Sequence, residues 1–407
     1  MNFKKYDELF NIDNYPLFQM NSGIYLPADE GQCICLSGKK YKECCKKEVE
    51  IALDSENNSS DFTELQEIYY QKESKLISYK VVDKAINKKN ISYCSAEKAF
   101  GNCDKTNNVK SHTMSRGNVL SNLAGIGNKS VMAFNDHIIA DPNIVKSNID
   151  LYYKDILIDD ASLTVAFCKK HDTELFIDIE TDGKKEYVKS SIQNLEYALK
   201  AVSFDIYYKI ENIRYLALLV QKTKKVLCSY NGERSKFLPN YYNAITELFT
   251  LYPMMNRILC EIKELKEKGV APKLSTVCFD LPIHKVNISC SEVITEGEQY
   301  YFINVINSSE PYLLFSYYDD VGDASWIINE KKKFDLCRDK ILYLYDLFLA
   351  FLVCNAQNIY INKDAFKRLS NEEKIYLYII HREGTAHIPR SCHDSNIHAM
   401  FKLLFDK

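Results

Sequence analysis

Four cysteines crowd together near the N-terminus, at Cys33, Cys35, Cys44 and Cys45. A Cys-x-Cys pair places two sulfur atoms on one side of a short turn. Gly38 permits the tight reversal that brings the second pair back across a shared centre. Four thiolates fill the tetrahedral coordination of Zn²⁺, which is the arrangement of a structural site with no open position. The spacing therefore predicts bound zinc, with free thiols or disulfides as the alternative.

The string from residue 33 to residue 45, CICLSGKKYKECC, resembles the SEC-C motif. This is the short zinc-binding segment known from the SecA translocase and from many bacterial proteins. The match departs from the motif at Leu36, where a glycine is usual. It also departs at Gln32, directly before the string, and at Ile34, where prolines are usual. None of these positions is a ligand. The resemblance implies a zinc-binding motif over residues 25–50 that docks onto a protein or ribonucleoprotein partner.

Lysines surround this cysteine cluster and outnumber its one internal acid, Glu43. They are Lys39, Lys40, Lys42, Lys46 and Lys47. Their charge exceeds the negative charge of a zinc tetrathiolate, so the module is expected to be weakly positive. A positive surface suits an acidic protein or an RNA backbone. The alternative is a solvated charge shell that only neutralises itself.

A second, looser set of candidate metal ligands follows along the chain. Its members are Cys94, Cys103, His112, Cys168 and His171. The Cys-x-x-His spacing of the last two lets both side chains face one ion. Five candidates compete for four places, and the simplest assignment gives Zn²⁺ to the three cysteines and His171. His112 is then left over, unless it is itself a ligand.

The order of these residues is similar to that of treble-clef nucleases of the HNH type. In that class a first ligand pair precedes a histidine that activates water, and a second pair follows. The string KSHTMSR, which contains His112, resembles the strand that carries the nuclease histidine. The resemblance implies that His112 is a general base, aided by a divalent metal at the leaving oxygen. The 55 residues between His112 and Cys168 exceed the usual spacing.

The second catalytic position of such a nuclease has no clear occupant here. The candidates are Asn118, Asn135, His137 and Asp172. Basic residues are present nearby but form no marked patch for nucleic acid, so nucleic acid remains only one candidate partner. Glu180 and Asp182 fall in a predicted turn and are interpreted as a solvated pair. A zinc protein that docks on a partner is therefore the leading hypothesis, and a divergent metal-dependent nuclease with a defence or toxin role is the alternative.

A longer resemblance supports the order of the regions. The string FCKKHDTELFIDIE (residues 167–180), following a KSHTMSR-like string, resembles a group of uncharacterised bacterial proteins. These join such a zinc region to a helical domain and a C-terminal sheet, over a span matching residues 90–380. The resemblance implies no activity, and enzymatic function stays open.

Composition bounds the class of protein. The 407 residues carry a net charge of −3, with 46% hydrophobic and 26% charged residues, which argues against a disordered or strongly nucleic-acid-binding chain. The N-terminus lacks an apolar signal segment. The apolar run Ile341–Cys354, interrupted by Asp346, is too short to span a bilayer and predicts a buried helix. Fourteen cysteines without a signal peptide favour a reducing compartment, so we expect a soluble cytoplasmic protein.

Periodicity predicts the elements that position these residues. The stretch at about residues 62–87 contains neither proline nor glycine, which predicts a helix there. After residue 190, apolar residues recur at helical spacing and predict two long helices. Pro253 should kink the second, and Gly269 should end it. β-Branched and aromatic runs then predict strands between residues 274 and 328, with helices returning at Asp335. The expected class is α+β: the zinc motif, a zinc-stapled treble-clef-like region over 60–188, and a helix–sheet–helix domain with an antiparallel sheet over 189–407.

Overall fold

The structure is a computed structural model whose described residues form two compact units. It describes residues 29–30, 39–47, 94–104, 109–125, 127–135, 149–180, 186–222, 237–308, 310–347, 353, 356–383, 403 and 405–406. The larger unit contains the described residues of Ala96–Cys103, Val109–Asp205 and Met255–Lys407. The smaller unit contains those of Met1–Ser95, Asp104–Asn108 and Ile206–Met254.

The described chain contains α-helices and β-strands, numbered here in chain order. The helices are α1 (Glu97–Phe100), α2 (Ser121–Ala124), α3 (Lys169–Leu175), α4 (Ile177–Glu180), α5 (Ser191–Lys222), α6 (Phe237–Lys268), α7 (Ser325–Leu336), α8 (Lys340–Leu347), α9 (Lys363–Arg368) and α10 (Asn371–Glu383). The strands are β1 (Ser111–His112), β2 (Ser130–Phe134), β3 (Tyr153–Leu157), β4 (Leu163–Thr164), β5 (Leu274–Asp280), β6 (Lys285–Val286), β7 (Ile288–Glu296), β8 (Gln299–Ile306), β9 (Tyr312–Tyr318), β10 (Ile359–Ile361) and β11 (Phe405–Asp406).

The main sheet has seven strands in the order β3-β2-β10-β7-β8-β9-β5. Every neighbouring pair in it is antiparallel. Two smaller antiparallel pairs join β1 to β4 and β11 to β6. This mixture of helices with an antiparallel sheet confirms the predicted α+β class.

The sheet takes strands from both sides of residue 189. β2 and β3 come from the stretch 60–188, which we predicted as a separate region, and the other five strands come from 189–407. β2 carries the apolar string Val131 to Phe134, and its edge pairs with β10 through Ala133 and Tyr360. The division into three regions stays a prediction.

The core of the larger unit lies at the centre of this sheet. β8 and β9 are buried along nearly their whole length, as their continuous apolar sequences require for strands covered on both faces. Helix α7 packs on β5, where the rings of Phe279 and Phe334 lie 5.2 Å apart between centroids. Trp326 adds a second contact, 5.8 Å from the ring of Tyr301. These edge-on aromatic pairs hold α7 on the sheet.

The two long helices follow the predicted periodicity. Leu195, Ala198 and Val202 of α5 are fully buried. α6 continues through Pro253 and ends where predicted: Gly269 has φ +68, and its N–H donates to the carbonyl of Leu265 at 3.0 Å. A glycine in the left-handed region is the usual way to close a helix, because it has no Cβ to clash.

The smaller unit contains the C-terminal part of α5 and the N-terminal part of α6, together with described residues near the N-terminus. Within it, Lys209 and Glu247 form an ion pair between the two helices. Leu248 and Leu251 of α6 are buried.

The start of one helix was predicted correctly, and the start of another was predicted wrongly. The Ser370–Glu373 capping box is present: the Ser370 N–H donates to Glu373 Oε2 at 2.7 Å, and the Glu373 N–H donates to Ser370 Oγ at 3.2 Å. α7, in contrast, begins at Ser325 and not near Asp335. Its buried side chains are few, chiefly Ile327 and Phe334, so its apolar stripe is too sparse to mark the start.

Some predicted elements lie outside the described residues, among them the helix at 62–87 and the segment holding Cys33 and Cys35. The apolar run after Ile341 contributes part of α8, in which Leu344 and Leu347 are buried. Among the helices described, none has the length and apolar character needed to cross a bilayer.

Candidate metal centre

Cys94, Cys103, Cys168 and His171 come together in the structure. Their ligand atoms all lie within 4.8 Å of one another. These are the four side chains to which the sequence assigned the second metal, and the group could hold a metal ion. In the rest of the described chain, no other three His, Cys, Asp or Glu side chains converge in this way.

Distances within the group match a coordination polyhedron. The Nδ1 atom of His171 lies 3.4 Å from the sulfur of Cys103 and 3.4 Å from the sulfur of Cys168. Zn–S and Zn–N bonds of about 2.3 and 2.05 Å at a tetrahedral angle would separate sulfur from nitrogen by about 3.6 Å. One imidazole nitrogen equidistant from two sulfurs is thus the arrangement that a shared ion needs.

Local backbone geometry brings Cys103 into the group. After α1 the chain reverses through Gly101, with φ +65, and Asn102, with φ +48. Glycine adopts such angles freely and asparagine is among the residues that tolerate them best. The turn therefore has residues suited to its shape immediately before the ligand.

The other two ligands open helix α3. Cys168 is its N-cap and His171 lies in its first turn, and the Asp172 N–H donates to the Cys168 carbonyl at 2.9 Å. A helical turn places residues three apart on one face, so the Cys-x-x-His spacing becomes a pair of convergent ligands. Upstream, the Val109 N–H donates to the Phe167 carbonyl and ties the preceding segment to this one.

The centre is largely enclosed. Cys94, Cys168 and His171 are buried, while Cys103 is partly exposed. Burial, the largest influence, lowers the pKa of His171, which also hydrogen-bonds the backbone of Gly101. The Phe100 ring centroid lies 6.0 Å from that of the imidazole. A neutral, oriented imidazole is the form that ligates metal.

His112 does not belong to this group. It ends β1, and its Nδ1 lies 2.8 Å from the carbonyl oxygen of Ala161. A carbonyl can only accept, so the proton sits on Nδ1 and Nε2 carries the lone pair. Burial is the main cause that lowers the pKa of His112, and the charges of Lys200 and Arg116 act in the same direction. The imidazole is therefore neutral at pH 7.

A long excursion of the chain brings Ala161 to His112. β1 and β4 pair in register, with Ser111 opposite Thr164 and His112 opposite Leu163. The residues between them leave this pair, contribute β2 and β3 to the main sheet and return. Part of the unusually long segment between His112 and Cys168 is thus β2 and β3 of the main sheet.

Buried polar contacts fix the turn that carries Ala161. Ser162 has φ +56, and its N–H donates to the Tyr360 hydroxyl at 2.6 Å. The Thr113 N–H donates to the Ser162 carbonyl at 2.8 Å, and the two hydroxyls also contact each other. Asn358 donates from Nδ2 to the Thr113 hydroxyl at 2.9 Å. These bonds hold a residue with a left-handed backbone in place beside His112.

Near His112, the sequence interpretation missed Lys200 and the ion pair that it forms with Glu180. Glu180, expected to be solvated, forms a 2.6 Å ion pair with Lys200, and the Lys200 ammonium also donates to the His112 carbonyl. The lysine stands in an apolar stretch of α5 between Leu199 and Ala201, which was the one available signal.

Of the candidates for a second catalytic position, Asp172 hydrogen-bonds Ser111, the residue next to His112, and burial raises the pKa of Asp172. The Asn135 N–H donates to the Tyr152 carbonyl at 2.9 Å, Asn118 lies in a single π-helical turn, and His137 is outside the described residues.

Of the N-terminal cysteine cluster, the structure describes Cys44 and Cys45. The sulfurs of Cys44 and Cys45 lie 3.8 Å apart, and Cys45 is fully buried. Two sulfurs bound tetrahedrally at about 2.3 Å would be about 3.8 Å apart. The partner ligands Cys33 and Cys35 lie outside the described residues.

Two acidic residues just before the N-terminal cysteine cluster offset the charge of its lysines. Glu30 pairs with Lys40 at 2.7 Å and also with Lys42, and Asp29 pairs with Lys46 at 2.7 Å. The two lysines lower the pKa of Glu30 to about 2. The expected positive surface is therefore wrong in magnitude, because two carboxylates from the preceding residues offset it.

Comparison of the chain with models of known protein families, with curated proteins and with solved structures finds no significant match.

Proposed function

We propose that the protein is a zinc protein in which Cys94, Cys103, Cys168 and His171 hold one structural Zn²⁺. The observation that carries this proposal is the convergence of three thiols and one imidazole nitrogen within 4.8 Å. Soft sulfur ligands with imidazole favour zinc over magnesium or calcium. All four positions are occupied by protein atoms, so the ion stabilises the fold around β1 and α3 and has no place for substrate.

Metal content of the purified full chain tests this proposal. We expect Cys168→Ser to lose one equivalent of zinc relative to the wild type, since a hydroxyl does not replace a thiolate. Cys260→Ser is the matched control, because that cysteine is exposed and remote from the group in sequence. Equal zinc content in the wild type and Cys168→Ser would rule the site out.

In this proposal the SEC-C-like segment binds a second Zn²⁺ and forms a docking surface. The 3.8 Å separation of the Cys44 and Cys45 sulfurs supports the first part. Because Lys40, Lys42 and Lys46 are already paired, we expect docking onto a protein or ribonucleoprotein to depend on shape more than on net charge.

Zinc content and co-sedimentation test this part separately. Cys44→Ser should remove one zinc while the Cys168 site keeps its own. Co-sedimentation with ribonucleoprotein particles should be lost in Cys44→Ser and should change little between low and moderate salt. A steep decline with salt would indicate binding to phosphates instead.

Hydrolysis of phosphodiesters is a second candidate function, favoured by the state of His112. Its Nδ1 is committed to the Ala161 carbonyl, so Nε2 is the atom able to take a proton from water. The element order also supports it: a ligand pair, the β1–β4 pair bearing His112, then α3 opening with the second ligand pair, as in HNH-type treble clefs. A divalent ion at the leaving oxygen would supply the charge stabilisation.

A nicking assay on plasmid DNA and on RNA with Mg²⁺ or Mn²⁺ tests this candidate. Activity should disappear in His112→Ala and persist in His284→Ala, since His284 is an exposed histidine elsewhere. A wild-type protein with full zinc and no activity on either nucleic acid removes the candidate.

A further inference from the structure

Lys200 is a buried lysine in an apolar part of α5. Its side chain is only 1% exposed, and its neighbours Leu199 and Ala201 are fully buried. Removing an ammonium from water is costly, and a single ion pair does not reliably offset that cost. A leucine or methionine would fill the same volume without it. The charge at this position therefore needs a reason other than stability.

The contacts of the Lys200 ammonium all concern the surroundings of His112. The ammonium donates to the main-chain carbonyl of His112, pairs with Glu180 Oε1 at 2.6 Å and lies 4.1 Å from the centroid of the Phe176 ring. The Asp172 carboxyl, which hydrogen-bonds Ser111, also interacts electrostatically with Lys200. Glu180 itself is 29% exposed, so the pair reaches from the core towards the surface.

His112 is thus held at two points by different elements. The Ala161 carbonyl, in the segment before β4, fixes the imidazole through Nδ1, and Lys200 fixes the main chain from α5. The charged groups acting on the imidazole are Lys200 on α5, Arg116 in the turn after β1 and Glu180 at the end of α4. Arg116 is exposed and paired with Asp159 at 2.6 Å, which leaves Lys200 as the buried cation.

We propose that Lys200 is the positioning residue of His112, and that Glu180 sets its place: together they hold the histidine in one backbone position with Nε2 available to a proton. The inference deepens the second candidate function and rests on His112 acting as a base there. It assigns no contact with substrate to Lys200. The pair instead controls where the imidazole stands and which protonation state it favours.

Opposite charges make the inference testable, because the two members of the pair must act on His112 in opposite directions. Nitrogen–proton NMR of histidine-labelled full-length protein, with His112→Ala to identify the signal, gives the tautomer and the pH midpoint. The wild type should show a proton on Nδ1 and a midpoint below the ordinary histidine value. Lys200→Met should raise the midpoint, and Glu180→Gln should lower it.

Lys200→Arg is the conservative control and should keep the wild-type midpoint, since it retains a cation able to donate. Zinc content and circular dichroism should match the wild type in each variant compared. If Lys200→Met does not fold, Glu180→Gln and Lys200→Arg still carry the test, because Glu180 is partly exposed. A midpoint unchanged in Glu180→Gln, or shifted the same way in both variants, overturns the inference, as does a proton on Nε2.

These outcomes separate the inference from the proposed activity. Opposed midpoint shifts in a protein that cleaves no nucleic acid would support the positioning role and remove the nuclease. Cleavage that depends on His112, without opposed midpoint shifts, would support the nuclease and overturn the positioning role.

Discussion

The Nδ1 atom of His112 and the carbonyl oxygen of Ala161 lie 2.8 Å apart although 49 positions separate the residues in the chain. The contact exists because the segment that leaves β1 for the main sheet returns as β4 in register with it. Orientation of the imidazole therefore depends on the sheet and on the turn at Ser162. The polar contacts of that turn are the place to perturb His112 without touching it.

Thr113→Val should destabilise the protein by about 1–3 kcal/mol. The substitution keeps the volume but removes the hydroxyl that contacts Ser162 and accepts from Asn358, and both partners are buried. Urea unfolding followed by circular dichroism measures the change. Thr295→Val is the control, because Thr295 is an exposed residue of β7, and it should change stability by less than about 0.5 kcal/mol. Equal effects would show that the Thr113 network contributes nothing.

His171 can be replaced with retention of metal. His171→Cys should keep one zinc at this centre, because a four-thiolate set satisfies the same tetrahedral ion, whereas His171→Ala should lose it. Loss of zinc should also lower thermal stability, since the metal joins segments before β1 to helix α3. Zinc content and melting temperature give both answers. If His171→Ala and His171→Cys both kept their zinc, the histidine would be a core residue and not a ligand.

Gly101→Ala should weaken zinc binding without removing a ligand. Gly101 has φ +65 and ψ −165, a combination that essentially only glycine adopts, and there is open space where a Cβ would lie. The added methyl therefore meets no atom but strains the backbone by about 1–3 kcal/mol. The strain falls on the turn that presents Cys103, and an affinity loss of about 5–150-fold is expected from that energy. Competition with a chromophoric chelator measures it. Gly127→Ala, at φ +81 and likewise unobstructed, should affect stability while leaving zinc affinity unchanged.

The ligand set and the long helices could be predicted from sequence because both are encoded locally. Cys-x-x-His places two ligands on one turn of α3, and helical spacing of apolar residues marks α5 whatever it packs against. The charge of the N-terminal module was misjudged because Glu30 and Asp29 meet lysines 10 to 17 positions away. Ion pairs at that separation leave no periodic trace.

The setting of His112 could not be predicted for a related reason. Its imidazole is bound by a main-chain carbonyl, which every residue has, and its own carbonyl is bound by a lysine 88 positions away. Side-chain types show neither contact. Lys200 interrupts an apolar stretch of α5, which could have been noted as a conflict between local pattern and burial. At such a conflict between local pattern and burial, a rule based on sequence alone is expected to fail.

The buried carboxyl of Glu196 should make the stability of the protein depend on pH. This carboxyl is fully buried, accepts from the Asp178 N–H at 3.2 Å and pairs with Lys266 at 3.0 Å. Burial outweighs Lys266 and, with help from the Asp178 carboxyl, raises the pKa of Glu196 to about 8. Between about pH 4.5 and pH 8 the folded protein therefore holds a proton at Glu196 that the unfolded chain has released.

Stability conferred by this proton falls as pH rises through that window, by on the order of 1 kcal/mol per pH unit for a single site. Glu196→Gln mimics the protonated form and keeps an oxygen acceptor, so its free energy of unfolding should lose this slope and should exceed that of the wild type most at pH 8. Urea unfolding at pH 5, 6.5 and 8 measures the difference, with the exposed Glu298→Gln as the control that keeps the wild-type slope. A Glu196→Gln protein that is less stable than the wild type at pH 8 would mean that the ionised pair with Lys266 outweighs the burial of the carboxylate.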